Sequence, residues 1–102
     1  MTCNTKPLEE FDPAKCRLVL GLPLCQCDVV IVVLRAKSKV IVQGYVMGWT
    51  DEMLLILEPD TNSLTAVRMR DIKAIHFKPD MMQVIMRRMK IGGGDGKEKQ
   101  LS

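Results

Sequence analysis

The chain has 102 residues, of which 47% are hydrophobic and 26% charged, a balance typical of one small globular domain. The longest uninterrupted apolar run, 29–34, is far shorter than the roughly 20 residues of a membrane-spanning helix, and the acidic first residues do not have the pattern of a secretion signal. A single histidine and a net charge of +3 favour neither acid–base catalysis nor a strong preference for polyanions. We therefore expect a cytoplasmic protein that is not an enzyme and holds no cofactor.

The composition changes along the chain and predicts its organisation. The expected parts are a loose N-terminal arm (1–11), a β-rich domain (12–78), an amphipathic helix (79–91) and a disordered tail (92–102). Asp12 and Pro13, a capping residue followed by a proline in the first helical turn, predict a short helix at the start of the domain. Gly21 and Pro23 would end that helix after about two turns.

Five later segments have the aliphatic, β-branched composition of strands and are separated by polar turns. They span 29–34, 40–49, 53–57, 64–69 and 72–77. Gly44 and Gly48 interrupt the second strand, and glycine inside a strand commonly marks a bulge or a bend. A short sheet must curl to cover its own core. We therefore expect a mainly β fold, a bent five-stranded antiparallel barrel of the SH3-like class with a short helix at each end.

The C-terminal helix carries an apolar stripe at the spacing i, i+3, i+4 and i+7, formed by Met82, Ile85, Met86 and Met89. We expect this stripe to pack over the open end of its own barrel or of a neighbouring copy. The alternative is a surface for a partner protein, because methionine adapts to varied surfaces.

All four cysteines, Cys3, Cys16, Cys25 and Cys27, fall in the first quarter of the chain. A reducing cytoplasm would keep them as free thiols. The alternative is a structural zinc site, which usually uses two cysteine pairs with two to four residues between the ligands. The only close pair here is Cys25 and Cys27, so we expect thiols and no metal.

Two stretches resemble the motifs of the Sm-like family, which includes the Sm and LSm proteins and the bacterial RNA chaperone Hfq. The first is 44–57 (GYVMGWTDEMLLIL), with Gly44 at the bend glycine and Trp49 at the aromatic position before the turn. The second is 67–75 (VRMRDIKAI), whose length resembles the Hfq version. The resemblance covers roughly 12–77 and implies a cyclic homo-oligomer of about five to eight subunits.

Several positions depart from the family pattern. Thr50 replaces the acid that opens the turn, Glu52 replaces a base-stacking side chain, and Leu54 stands where many Sm proteins read uridine with asparagine. Arg68 and Arg70 fall within the Tyr-Lys-His triplet of Hfq, none of which is retained. The resemblance therefore implies the fold and the ring, and not the uridine pocket.

The leading function is RNA binding through phosphate contacts with low base specificity. The candidate residues are Arg68, Arg70, Lys73, Trp49, Lys37 and Lys39. Arg68 and Arg70 have the same parity on one strand and would concentrate positive charge around a ring. The alternative for these two is a solvated face with ion pairs to Glu52 or Asp71. The alternatives for the others are a packing role for Trp49 and solubility charges for Lys37 and Lys39.

A five-stranded barrel that is not fully closed leaves two edges, and the segments expected to form them, 64–69 and 72–77, contain no proline and are not heavily charged. Exposed edges invite pairing with another copy. The residues expected at that contact are Leu64, Ala66, Val67, Ile72 and Ile75. The alternative function is a protein-interaction or scaffolding module that keeps the barrel and does not bind RNA, which the methionine stripe and Leu54 support.

Overall fold

A computed structural model describes residue 3, residues 6–36 and residues 40–93, with side chains of the last helix described up to residue 89. The described chain is mainly β with one C-terminal helix, as predicted. Its elements are β1 (Cys16–Val19), β2 (Leu22–Cys25), β3 (Val29–Leu34), β4 (Val40–Trp49), β5 (Met53–Glu58), β6 (Ser63–Arg68), β7 (Ile72–His76) and α1 (Pro79–Gly93). Lys37, Lys39 and the tail from residue 94 lie outside the described residues.

The prediction of a short N-terminal helix is wrong, because the segment forms the β1–β2 hairpin. Asp12 does cap a turn: its Oδ1 atom accepts a hydrogen bond from the N–H of Ala14 (2.9 Å), and its carbonyl accepts one from the N–H of Cys16 (2.7 Å). That turn is not continued, and the chain leaves it as a strand. Leu20 and Gly21 then reverse the chain with positive φ angles of 54° and 79°, the backbone geometry of a tight two-residue hairpin.

The physical reason for the hairpin is the burial that it provides. In the hairpin Val19 and Leu24, which are 1% and 0% exposed, join the same core as the strands and the helix. β1 and β2 pair antiparallel, with Cys16 opposite Cys25 at one end and Val19 opposite Leu22 at the other. The preference of a two-turn segment for helix is small compared with the free energy gained from this tertiary packing.

The other five strands form one antiparallel sheet in the order β6-β5-β4-β3-β7. β4 is shared between two halves of this sheet: residues 40–45 pair with β3 and residues 45–49 pair with β5. β6 and β7 lie at opposite edges and do not pair with each other, so the sheet is not closed into the barrel that we expected. The β1–β2 hairpin and α1 contribute residues to the core. They cover the open sheet, which therefore buries its core face without closing into a barrel.

Gly44 lies where β4 passes close to β5. A Cβ atom at Gly44 would collide with the carbonyl oxygen of Leu57, and it would stand only 3.1 Å from the Cγ2 atom of Ile56. Gly48 lies beside the bulge at which the β4–β5 register shifts, and a Cβ atom there would meet nothing within 4 Å. The fold therefore requires glycine at position 44 and not at position 48.

The apolar stripe predicted for α1 is divided between two faces of the helix. Ile85 is buried, but Met82, Met86 and Met89 are 40%, 53% and 48% exposed, so the three methionines do not pack on their own sheet, and packing on a neighbouring copy stays a prediction. The core-facing residues of α1 are Met81, Val84, Ile85 and Arg88. Burial of this apolar face, together with the buried ion pair of Arg88, favours this rotation of the helix.

That ion pair joins Arg88 to Asp28, and both side chains are fully buried. The two guanidinium nitrogens donate to the two carboxylate oxygens at 2.7 and 2.9 Å. Arg88 also donates to the carbonyls of Leu8 (2.8 Å) and Pro23 (3.0 Å), and the carboxylate accepts the N–H of Cys25. These bonds leave no buried side-chain N or O atom unpaired in the described part of the chain. The pair thus connects the arm, the hairpin and the helix.

The four cysteines form two disulfides, Cys3–Cys27 and Cys16–Cys25, which corrects the expectation of free thiols. Cys16 and Cys25 are directly opposite in the hairpin, and this brings their sulfur atoms together. Because residues 12–20 were predicted to be helical, the pairing of Cys16 with Cys25 was not anticipated from the sequence. Within residues 3, 6–36 and 40–93, no three potential metal ligands gather at one place, and no helix has the length and apolar character that a membrane crossing requires.

Candidate nucleic-acid interface

An open groove lies between the turn that joins β4 to β5 and the end of β6. Its volume is about 510 Å³. The residues that line this groove are Thr50, Asp51, Glu52, Met53, Arg68 and Arg70. It therefore brings together the two arginines that the sequence singled out and the turn of the first Sm-like motif.

The β4–β5 turn, residues 50–53, forms one wall of the groove and is closed by its own hydrogen bonds. The N–H of Thr50 donates to the carbonyl of Met53 (2.9 Å), and the N–H of Met53 donates to the Oγ1 atom of Thr50 (3.0 Å). A hydroxyl at the first turn position accepts the same kind of bond as a carboxylate. Thr50 therefore retains the turn although it departs from the motif.

The opposite wall is the junction between β6 and β7. β6 ends at Arg68, and Met69–Asp71 form a short 3-10 turn. Arg70 therefore does not share a strand with Arg68, and the parity argument that placed them together is wrong. The N–H of Met69 donates to the carbonyl of Glu52 at 2.8 Å, which holds this junction against the β4–β5 turn. Both arginines line the groove because of that contact.

The groove carries charges of both signs. Arg68 and Arg70 are exposed, and the ion pairs found among the described residues are Arg87–Glu9 and Arg88–Asp28. The alternative ion pairs of the two groove arginines, with Glu52 or Asp71, are thus not formed. Asp51 and Glu52 are exposed carboxylates in the same groove. Its two guanidinium groups therefore remain available to an anion, and its carboxylates limit how strongly they attract one.

A third arginine contacts the groove from outside the sheet. Arg17, on β1, donates from its two terminal nitrogens to the carbonyls of Thr50 (2.5 Å) and Asp51 (2.9 Å). Sequence reasoning missed this residue because it assigned Arg17 to a helix. The available signal was the hairpin pattern itself, a Leu-Gly pair between two short apolar segments.

The remaining RNA-binding candidates lie away from the groove or outside the described residues. Trp49 is partly buried and packs against the core, which favours the packing role over base stacking. Lys73 is exposed on β7 and does not line the groove. Leu54 is fully buried and faces the core. Lys37 and Lys39 are among the residues that the structure does not describe.

The expected edge residues are divided between surface and core. Leu64 is 58% exposed and Ala66 is also exposed, whereas Val67 and Ile72 are buried and Ile75 is partly buried. β6 and β7 are the edge strands of the sheet, as expected for the segments 64–69 and 72–77. Copy-to-copy pairing of these edges stays a prediction.

One exposed ion pair connects the N-terminal arm to α1. The Nε atom of Arg87 donates to a carboxylate oxygen of Glu9 at 2.6 Å. This hydrogen bond lowers the pKa of Glu9 and raises the pKa of Arg87. Because both groups are open to solvent, the pair contributes little to stability.

The chain was compared with protein-family models, curated proteins and solved structures, and none of them matches it. The similarity to the two Sm-like motifs therefore rests on the sequence alone. The function has to be inferred from the groove and the exposed surface.

Proposed function

We propose that this chain binds RNA at the groove, through phosphate contacts made by Arg68 and Arg70 and with little base specificity. The observation that carries the proposal is the pair of exposed guanidinium groups, neither of which is in an ion pair among the described residues, on one wall of an open groove. Arginine binds phosphate with two parallel hydrogen bonds, so two free guanidinium groups suit a nucleic-acid backbone. The likeness of residues 44–57 and 67–75 to the Sm-like motifs supports the same function.

We expect replacement of both arginines by alanine to weaken RNA binding by at least tenfold at low salt. Loss of two phosphate contacts should also reduce the slope of log affinity against log salt by about 1.4. The measurement is fluorescence anisotropy with labelled oligo-U and oligo-A, titrated at several salt concentrations.

The matched control removes two lysines outside the groove, Lys6→Ala with Lys78→Ala, and so changes the net charge equally. It should retain most of the affinity. The Glu52→Gln variant should bind more tightly, because it removes a carboxylate that repels phosphate. Absence of binding by the unmodified protein at low salt, or an equal loss in the lysine control, would refute the RNA proposal.

We further propose that the chain assembles into a cyclic homo-oligomer by pairing β6 of one copy with β7 of the next. Both edge strands present backbone groups that are not used within the sheet, and strand addition satisfies such groups. In a ring, the groove arginines of successive copies would combine their fields. Light scattering during size exclusion should give a mass of about five to eight subunits, with a raised 260/280 nm absorbance ratio if RNA is bound. A monomer would exclude the ring.

A second candidate is a protein-interaction module, and the exposed methionines of α1 favour it. Met82, Met86 and Met89 form a row of flexible apolar side chains on the outward face of the helix. A 260/280 nm ratio equal to that of pure protein, together with no change in anisotropy, would favour this candidate over RNA binding. A photo-crosslinking residue at position 86 should then capture a partner that the same residue at position 73 does not.

A further inference from the structure

The β4–β5 turn is held by donors from two different parts of the chain. Its three successive carbonyls, at positions 50, 51 and 52, all accept hydrogen bonds. The last bond comes from the N–H of Met69 on the opposite wall of the groove. The first two come from a single side chain, Arg17, and two parallel bonds from a planar guanidinium define both position and orientation. The turn therefore depends on where β1 lies, and so does the β6–β7 junction with Arg68 and Arg70, which the Met69 bond holds against that turn.

The position of β1 depends in turn on few interactions. The β1–β2 ladder is four residues long, and Pro23, opposite Leu18, has no N–H to donate. A short two-stranded hairpin is marginal without other support. Val19 packs in the core and the Cys16–Cys25 disulfide covalently joins the other end of the ladder. Arg17 is the residue directly after Cys16, so the disulfide restrains the backbone from which the guanidinium reaches the turn.

We propose that Arg17 is a positioning residue for the groove, and that the Cys16–Cys25 disulfide makes RNA binding there depend on the redox state of the protein. This inference rests on the proposed RNA-binding function. When the disulfide is intact, β1 holds Arg17 on the carbonyls of Thr50 and Asp51. When it is reduced, only backbone hydrogen bonds hold the Cys16 end of β1 to β2, among them the bond from the N–H of Gln26 to the carbonyl of Lys15, and opening of that end takes Arg17 away from the turn.

The reductant in this scheme is a small dithiol. One of its thiolates attacks a sulfur of the disulfide, which forms a mixed disulfide and releases one cysteine thiolate. The second thiolate of the reductant then attacks the mixed disulfide. The products are two cysteine thiols and the oxidised dithiol, so two electrons and two protons pass to the protein. Cys16 is 3% exposed and Cys25 is 0% exposed, so the hairpin must open before the reductant reaches this bond.

The test compares RNA affinity of the oxidised and the dithiothreitol-reduced protein by anisotropy, with thiol alkylation and mass spectrometry to report which disulfide is open. Reduction should weaken binding by about tenfold, the scale of a lost hydrogen bond to a charged group. The oxidised Arg17→Ala variant should bind RNA about as weakly as the reduced unmodified protein, and reduction should not weaken its binding further. Arg17→Lys retains the charge but lacks the planar guanidinium with its two parallel donors, so its RNA affinity should resemble that of the alanine variant.

A second variant separates the two disulfides. The Cys3→Ser, Cys27→Ser protein keeps Cys16–Cys25 as its one disulfide, and it should still lose affinity on reduction. A redox response that survives in Arg17→Ala, or an Arg17→Lys variant that binds like the unmodified protein, would overturn the positioning role. Circular dichroism of each sample shows whether the sheet remains folded.

Hydrogen–deuterium exchange provides a readout that needs no RNA. The N–H groups of Thr50 and Met53 close the turn, and they should exchange faster after reduction and in Arg17→Ala. If exchange changes but no form of the protein binds RNA, Arg17 still positions the turn and the RNA-binding function has failed. If RNA binds and neither exchange nor affinity responds to reduction, the redox proposal has failed and the proposed function stands.

Discussion

Replacement of Arg88 by methionine is expected to lower the free energy of unfolding by about 3–5 kcal/mol, a larger effect than that of any other single substitution proposed for this chain. The substitution keeps an unbranched side chain of similar length but leaves the carboxylate of Asp28 buried without its cation. A domain of this size has a total stability of about 5–15 kcal/mol. The variant should therefore be close to unfolding at room temperature. Urea denaturation followed by circular dichroism measures the change.

The neighbouring arginine offers a matched control. Arg87 has the same chemistry one position earlier, but its ion pair with Glu9 is open to solvent, so Arg87→Met should leave the urea midpoint almost unchanged. The double variant Asp28→Leu with Arg88→Met should be more stable than Arg88→Met alone, because no unpaired charge remains buried. Equal midpoints for the Arg87 and Arg88 variants would show that the buried pair does not hold α1 against the hairpin.

Substitution of Gly44 by alanine is expected to cost about 3 kcal/mol, at the upper end of what overpacking costs in a core. The added methyl group would collide with backbone of β5, at the carbonyl of Leu57, and backbone cannot rotate away as a flexible side chain can. The strands would have to separate where β4 turns from one half of the sheet to the other. Thermal unfolding should show a midpoint lower by more than about 10 °C, since about 1 kcal/mol corresponds to 4–8 °C at this size.

Gly48→Ala is the control for this prediction. A methyl group at Gly48 enters open space, and alanine reduces the conformational freedom of the unfolded chain. We therefore expect its unfolding midpoint to be unchanged or slightly higher. If the two alanine variants lose stability equally, the close approach of β4 and β5 at Gly44 does not explain the need for glycine.

Part of the groove was predictable from the sequence, for reasons that differ between its residues. Arg68 and Arg70 were selected for their shared parity on one strand, which would concentrate positive charge around a ring; they do line one groove, but they do not share a strand. The 3-10 turn between β6 and β7 brings them together instead. The hairpin that carries Arg17 had a signal in the sequence, but its contact with the turn had none, because the two segments are more than 30 residues apart.

The sequence alone was enough to predict the five strands of the sheet, the helix that begins at Pro79, and the glycine at the bend of β4. These features follow from local composition: β-branched runs disfavour helix, proline suits the first turn of a helix, and a strand glycine marks a close approach. Tertiary structure decided the rest. It made residues 16–25 a hairpin where a helix over 12–20 was expected, paired the cysteines, left the sheet open and turned the methionines of α1 outward. Most of these depend on contacts between segments that are distant in the sequence, among them the buried pair of Asp28 and Arg88. The energy of such contacts exceeds the small local preferences that a sequence pattern records.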